Sequence, residues 1–161
     1  IQQEIGQEDL LFLVAHDDDP FARYDAMQEL VVRHLTGAVA GAADGAERPG
    51  RAAIGQAFAA VLADTGLDDR MRGELLTLPG EAYLAERFER ANPGRIFSER
   101  EGLKSWLGNA LRADLLAHYE RCAAMPFDLG PEAKGARRMK TLILSFLAAA
   151  DPEAASGLAE R

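Results

Sequence analysis

Four prolines stand immediately after residues that can begin a helix: Asp19-Pro20, Asn92-Pro93, Gly130-Pro131 and Asp151-Pro152. A pyrrolidine ring is tolerated at the first helical position, because the N–H it lacks would have no intrahelical partner there. An Asp or Asn just ahead can accept a hydrogen bond from a free first-turn amide. Each pair therefore fixes a helix start, and the stretches between them carry apolar residues at three- and four-residue spacing. No segment sustains alternation with period two, and runs of β-branched residues are few, so the pattern offers nothing to build a sheet from. The chain reads as all-α.

The spacing predicts a first helix over 7–16 and a second over 20–40, the latter burying Tyr24, Met27, Val31, His34 and Leu35. Residues 41–50 have the composition of a mobile loop. A third helix over 51–64 presents Ile54, Phe58, Val61 and Leu62, with Gly66 as its stop. Asp68 or Asp69 opens a fourth, carrying Met71 and Leu75 and ending before Pro79. Gly80 caps a fifth, with Leu78, Tyr83, Leu84 and Phe88 inward. A long sixth runs from Pro93 to about residue 124 on a stripe of Leu103, Trp106, Leu107, Ala110, Leu111, Leu115, Tyr119 and Cys122. A seventh over 131–150 uses Met139, Leu142, Ile143, Phe146 and Leu147, and an eighth starts at Pro152. Asp19, Asn92, Gly80 and Asp151 are the structural caps. Seven to eight helices with short links pack most simply as antiparallel hairpins. The expected architecture is a right-handed α-superhelix of HEAT/ARM type in a single domain over 1–161. No sequence repeat recurs at a fixed period, so any repeat is structural.

Charge and composition narrow the partners. The net charge of −8 repels phosphate backbones and anionic membranes, so neither nucleic acid nor a membrane is expected. No stretch approaches the roughly 20 apolar residues of a membrane span. Cys122 is the lone cysteine. It reads as a small buried side chain, and cysteine poverty fits a reducing, cytoplasmic setting. The opening Ile1-Gln2-Gln3-Glu4-Ile5 lacks Met and the order of a signal peptide, and reads as a chain cut from something longer.

Sites for chemistry are hard to assemble. Zinc catalysis needs two imidazoles one helical turn apart, a third ligand and a general-base carboxylate. His16, His34 and His118 stand far apart in sequence, and no His-Glu-x-x-His segment occurs. Asp17-Asp18-Asp19 lacks the ligand spacing of a calcium loop, and a capping turn before Pro20 accounts for Asp19. Ser98 and Ser105 have no legible His-plus-Asp system. Gly94 and the 41–50 loop do not follow a strand, so neither reads as a phosphate cradle. Trp106 reads as a core anchor. Lys134, Arg137, Arg138 and Lys140 form a basic cluster in an acidic chain. It reads as a solvated face or as a surface for domain contact or a substrate chamber. No catalytic residue, metal ligand or cofactor is expected.

Four segments, in order, resemble the C-terminal helical domain of bacterial aminopeptidase N, a zinc family of the gluzincin type. The first is the apolar run Leu10-Leu11-Phe12-Leu13-Val14, followed by a polar turn and then Phe21, Arg23, Tyr24, Asp25 and Ala26. The second is Leu75-Leu76-Thr77-Leu78-Pro79-Gly80-Glu81, with Gly80 where the family usually has Ser. The third is Asn92-Pro93-Gly94-Arg95-Ile96, continuing to Arg100-Glu101-Gly102-Leu103. There Asn92 replaces Asp, and Phe97 replaces a polar residue. The fourth is the basic helix Arg137-Arg138-Met139-Lys140-Thr141-Leu142. The resemblance implies a fragment, the N-terminal part of a larger helical domain, from which the catalytic zinc domain is absent. By that resemblance the parent releases N-terminal amino acids from peptides with zinc, while this part shapes and restricts access to the active site. Its partners would be the catalytic and β-sandwich domains of the same polypeptide, with peptides in the full enzyme. The isolated fragment is expected to self-associate or to re-pack its C-terminus. The alternative is an autonomous α-solenoid scaffold binding a protein partner, favoured if no His-Glu-x-x-His segment lies upstream in the same reading frame.

Overall fold

The computed structural model describes residues 5–41 and 50–160. Among them are nine helices and no strand: α1 (Gln7–His16), α2 (Pro20–Val39), α3 (Arg51–Ala63), α4 (Asp69–Leu76), α5 (Glu81–Ala85), α6 (Pro93–Ala110), α7 (Arg112–Ala123), α8 (Pro131–Ala150) and α9 (Pro152–Ala159). The all-α reading holds. The loop expected over 41–50 lies, in residues 42–49, outside the described residues.

The caps form from the side chains at the helix starts. Asp19 Oδ1 accepts from the Phe21 amide at 2.9 Å, Asn92 Oδ1 from Arg95 at 3.1 Å, and Asp151 Oδ1 from Ala154 at 3.1 Å. Gly80 and Gly130 precede α5 and α8 with extended backbone and no side-chain cap. Asp17 Oδ1 also accepts from the Asp19 amide at 2.7 Å, so the acidic run between α1 and α2 is a hydrogen-bonded turn.

The chain divides into two compact units, residues 1–60 with 78–100 and residues 61–77 with 101–161. In the first unit α1 packs on α2, and α5 also touches α2. Leu10 and Val14 of α1, Met27, Leu30, Val31 and Leu35 of α2, and Ile54 and Phe58 of α3 are buried. In the second unit α8 is the hub, packed on α4, α7 and α9. Its Ala133, Ala136, Met139, Ile143, Phe146 and Leu147 are all buried. Burying each of the larger of these side chains is worth roughly 1.5–3 kcal/mol. One glycine makes the packing possible: a Cβ at Gly108 of α6 would sit 2.2 Å from the Phe146 carbonyl oxygen of α8.

Several details differ from the sequence reading. The helix expected from Pro93 to about 124 is kinked at Leu111, where φ −111° and ψ 19° leave the helical region. Counting α6 and α7 as one kinked run gives the eight segments expected. The 100°-per-residue pattern continues across a one-residue kink, so periodicity does not reveal it. Tyr24 and Tyr83 are 38% and 45% exposed. A tyrosine at the edge of an apolar stripe keeps its hydroxyl in water, and Tyr83 is hydrogen-bonded there to Arg87. Ala110 is also exposed, and Phe88 and Trp106 are half-buried. Gly66 is not the left-handed stop of α3, because only Gly41 (φ 87°) and Gly50 (φ 91°) have positive φ among the described residues. Side chains terminate α3 instead.

Candidate functional site

A polar cluster gathers at the end of α3. Asp68 caps α4 by accepting from the Met71 amide at 2.7 Å, which places Arg72 one turn into that helix and facing α3. Arg72 is 6% exposed. Its Nε donates to the Val61 carbonyl at 3.3 Å, and its Nη2 donates to those of Asp64 at 2.7 Å and Leu67 at 3.0 Å. Helix C-termini leave carbonyls without intrahelical donors, and one planar guanidinium here serves three carbonyls along the exit from α3. Asp64 completes the stop by accepting from the Gly66 amide at 2.9 Å.

The counter-ion is Asp69. Its Oδ1 accepts from Arg72 Nη1 at 2.8 Å, and Arg121 of α7 clamps both carboxylate oxygens at 2.5 and 2.9 Å. The hydrogen bond from Arg121, helped by the charges of both arginines, holds the Asp69 carboxyl below its usual range, while Asp69 raises Arg121. His118 Nε2 lies 2.8 Å from the Leu62 carbonyl, which can only accept, so that nitrogen carries the proton. Nδ1 then faces Arg121 Nη2 at 3.2 Å as an acceptor. Burial is the main cause lowering the His118 pKa, which favours the neutral imidazole. Burial also pushes the Cys122 thiol up to about 11, with its Sγ 3.8 Å from Asp69. The thiol is raised by burial, the imidazole is engaged at both ring nitrogens, and the carboxylate is paired with two arginines. The arrangement locks helices together.

A broad cleft of about 850 Å³ opens beside this cluster, lined by Leu62, Leu67, Arg70, His118, Arg121, Met125 and Glu132 among others. His16 ends α1 with its ring 4.7 Å from that of Phe12, and His34 is buried in α2. Neither lies in the unit that holds His118. Among the described residues no group of three or more His, Cys, Asp or Glu side chains is placed to hold a metal ion.

The basic residues of α8 separate by role. Arg138 Nη1 pairs with Glu74 at 2.5 Å, Lys140 Nζ lies 5.2 Å from the centre of the Tyr119 ring, and Lys134 is exposed. Arg137 donates to the Asp128 carbonyl at 2.8 Å and covers the Phe127 ring at 5.3 Å. The sequence reading missed Arg72, Arg121 and Phe127. A signal for the first was present: Arg72 follows its cap Asp68 by four residues, as Arg23 follows Asp19. Arg23 is likewise buried, and its Nε donates to the Val14 carbonyl in the last turn of α1 at 2.8 Å.

Helices joined end to side by such arginines define an all-α domain. The chain belongs to the family described as a domain of unknown function (DUF3458_C) with ARM repeats, whose model matches residues 7–161. It is 30% identical to aminopeptidase N of Escherichia coli strain K12 over 92% of its length, and 28% identical to aminopeptidase N of Haemophilus influenzae over 88%. It spans 17% and 16% of those two proteins. A crystal structure of Legionella pneumophila aminopeptidase A in complex with aspartic acid matches its fold with a TM-score of 0.81. That match, at 23% identity, covers 97% of this chain and 19% of the other. The resemblance to the C-terminal helical domain of bacterial aminopeptidase N is thus borne out.

Proposed function

We propose that these residues are part of the helical domain of a zinc-dependent aminopeptidase N that releases N-terminal amino acids from peptides in the cytoplasm. In this reading the chain does no chemistry. It packs against the catalytic and β-sandwich domains of the same polypeptide, and its bulk restricts what reaches the active site. In this reading zinc belongs to the catalytic domain. Lys134, Arg137 and Lys140 contribute a contact surface, while Arg138 is paired with Glu74. The observation that carries the reading is the alignment with the Escherichia coli aminopeptidase N over 92% of the chain.

The test compares the full polypeptide with the 161-residue chain on alanine p-nitroanilide. The full polypeptide turns the substrate over, loses activity to a zinc chelator and regains it on adding zinc, and the chain alone is silent. A rate that scales with the concentration of the isolated chain, or an inactive full polypeptide, overturns the proposal.

A further inference from the structure

Phe127 is 81% exposed, more than any other large apolar side chain among the described residues, and Leu129 two positions on is 68% exposed. Both sit between α7 and α8 on a loop that is held in place. The Asp128 carbonyl accepts from Arg137, its carboxylate accepts from the Gly130 amide at 3.0 Å, and the Arg137 guanidinium lies over the Phe127 ring. The aromatic ring is presented rather than tucked away, at a cost in apolar hydration that a partner would remove. Beside it is a hollow of about 150 Å³ lined by Cys122, Met125, Phe127, Arg137 and Lys140, large enough for a small side chain.

The charge around this knob is opposite to that of the chain. Lys134, Arg137 and Lys140 have no carboxylate within ion-pair distance among the described residues, whereas Arg138 is taken by Glu74. The Asp128 carboxylate closes its own turn, and Glu132 lies on the first turn of α8, where the helix dipole favours an anion. An aromatic anchor with arginine beside it and cations at the rim is the composition of an interface core facing an acidic partner. A symmetric pairing of two copies through this patch would set the same cations against each other. The relatives offer another occupant, because the chain spans only 16–19% of their lengths.

We infer that Phe127 and Leu129, rimmed by Lys134, Arg137 and Lys140, dock on a carboxylate-rimmed apolar face elsewhere in the same polypeptide, outside these 161 residues. The inference rests on the reading of the chain as one part of a larger aminopeptidase, and names the surface that joins it to the rest. The experiment replaces Phe127 by the photo-crosslinker p-benzoylphenylalanine in the full polypeptide, irradiates, and maps the adduct by mass spectrometry. A ring this exposed tolerates the replacement without loss of folding, and circular dichroism verifies that. The expected product is an intramolecular adduct, of monomer mass, to a segment outside the chain that bears Asp or Glu. Arg137→Glu combined with Lys140→Glu lowers its yield at least about fivefold. An adduct between two copies, to a separate protein, or confined to these 161 residues overturns the inference, as does no adduct or a yield indifferent to the charge reversal. Activity on alanine p-nitroanilide, measured in parallel, reports on the aminopeptidase reading independently of where the adduct falls.

Discussion

Arg23 and Arg72 occupy the same place in their helices, four residues after a capping Asp, and each turns its guanidinium on the carbonyl end of the preceding helix. Arginine suits this because its planar fork reaches several carbonyls at once and stays charged. Lysine at either position would be a point charge with poorer reach. Removing Arg72 leaves three carbonyls short of a donor and Asp69 with one cation instead of two, so Arg72→Met should cost about 3 kcal/mol. Arg23→Met, which removes the donor to the Val14 carbonyl, should cost about 1–2 kcal/mol. Urea midpoints of the two variants measure this, and an Arg72→Met midpoint equal to that of the parent would sink the account. His118 adds a pH dependence. Its pKa is lowered from 6.5 by burial, so below pH 6.5 the unfolded chain takes up a proton before the folded one. Its contribution is whole above pH 6.5 and drains away as the pH falls toward the folded-state value. Asp69, lowered from 3.8 chiefly by its hydrogen bond to Arg121, follows only below pH 3.8. His118→Gln, which cannot titrate, should therefore show a flatter loss of stability between pH 7 and 5, and an unchanged slope would contradict this.

At the scale of the helices, the hub α8 can approach α6 only because Gly108 has no side chain. Gly108→Val places a Cβ bearing two methyl groups where the Phe146 carbonyl already sits, and either the helices part or the carbonyl moves. Overpacking of this kind costs about 1–3 kcal/mol or more. Gly37, which has open space around it, serves as the control: Gly37→Ala should be neutral or slightly stabilising. Thermal denaturation of the pair separates a packing requirement from a general intolerance of substitution. The two glycines also show how far the sequence reaches. Helix starts were legible because Asp19, Asn92 and Asp151 sit next to prolines, and cap chemistry is local. The buried stripe of α8 was legible because period is local too. The close approach at Gly108 depends on what a distant helix presents, which no window of neighbouring residues encodes. The same holds for the site. The sequence located the basic cluster on α8, but it could not show that Arg138 is spent on Glu74 or that Arg137 covers Phe127. It saw Asp68 and Asp69 as a helix start and had no means of finding Arg121 of α7 on the far side of the carboxylate.

Over the whole molecule, the proposed role in peptide cleavage is one of shape, exerted by packed helices. Shape and chemistry are separable in kinetics. A small anilide substrate reaches a metal centre through openings that exclude a long peptide, and its turnover reports the chemical step alone. If the helical domain limits access, loosening it with Gly108→Val in the full polypeptide should leave kcat for alanine p-nitroanilide within about twofold of the parent. The ratio of kcat/KM for a long peptide to that for a dipeptide should then rise by more than about threefold, because only the long peptide meets the barrier being loosened. If both substrates lose activity in proportion, the variant has perturbed the catalytic module and the domain is part of the chemistry. If neither changes although the midpoint of unfolding has fallen, the helices stand away from the path of the substrate, and the access-restricting role fails while membership of the family stands.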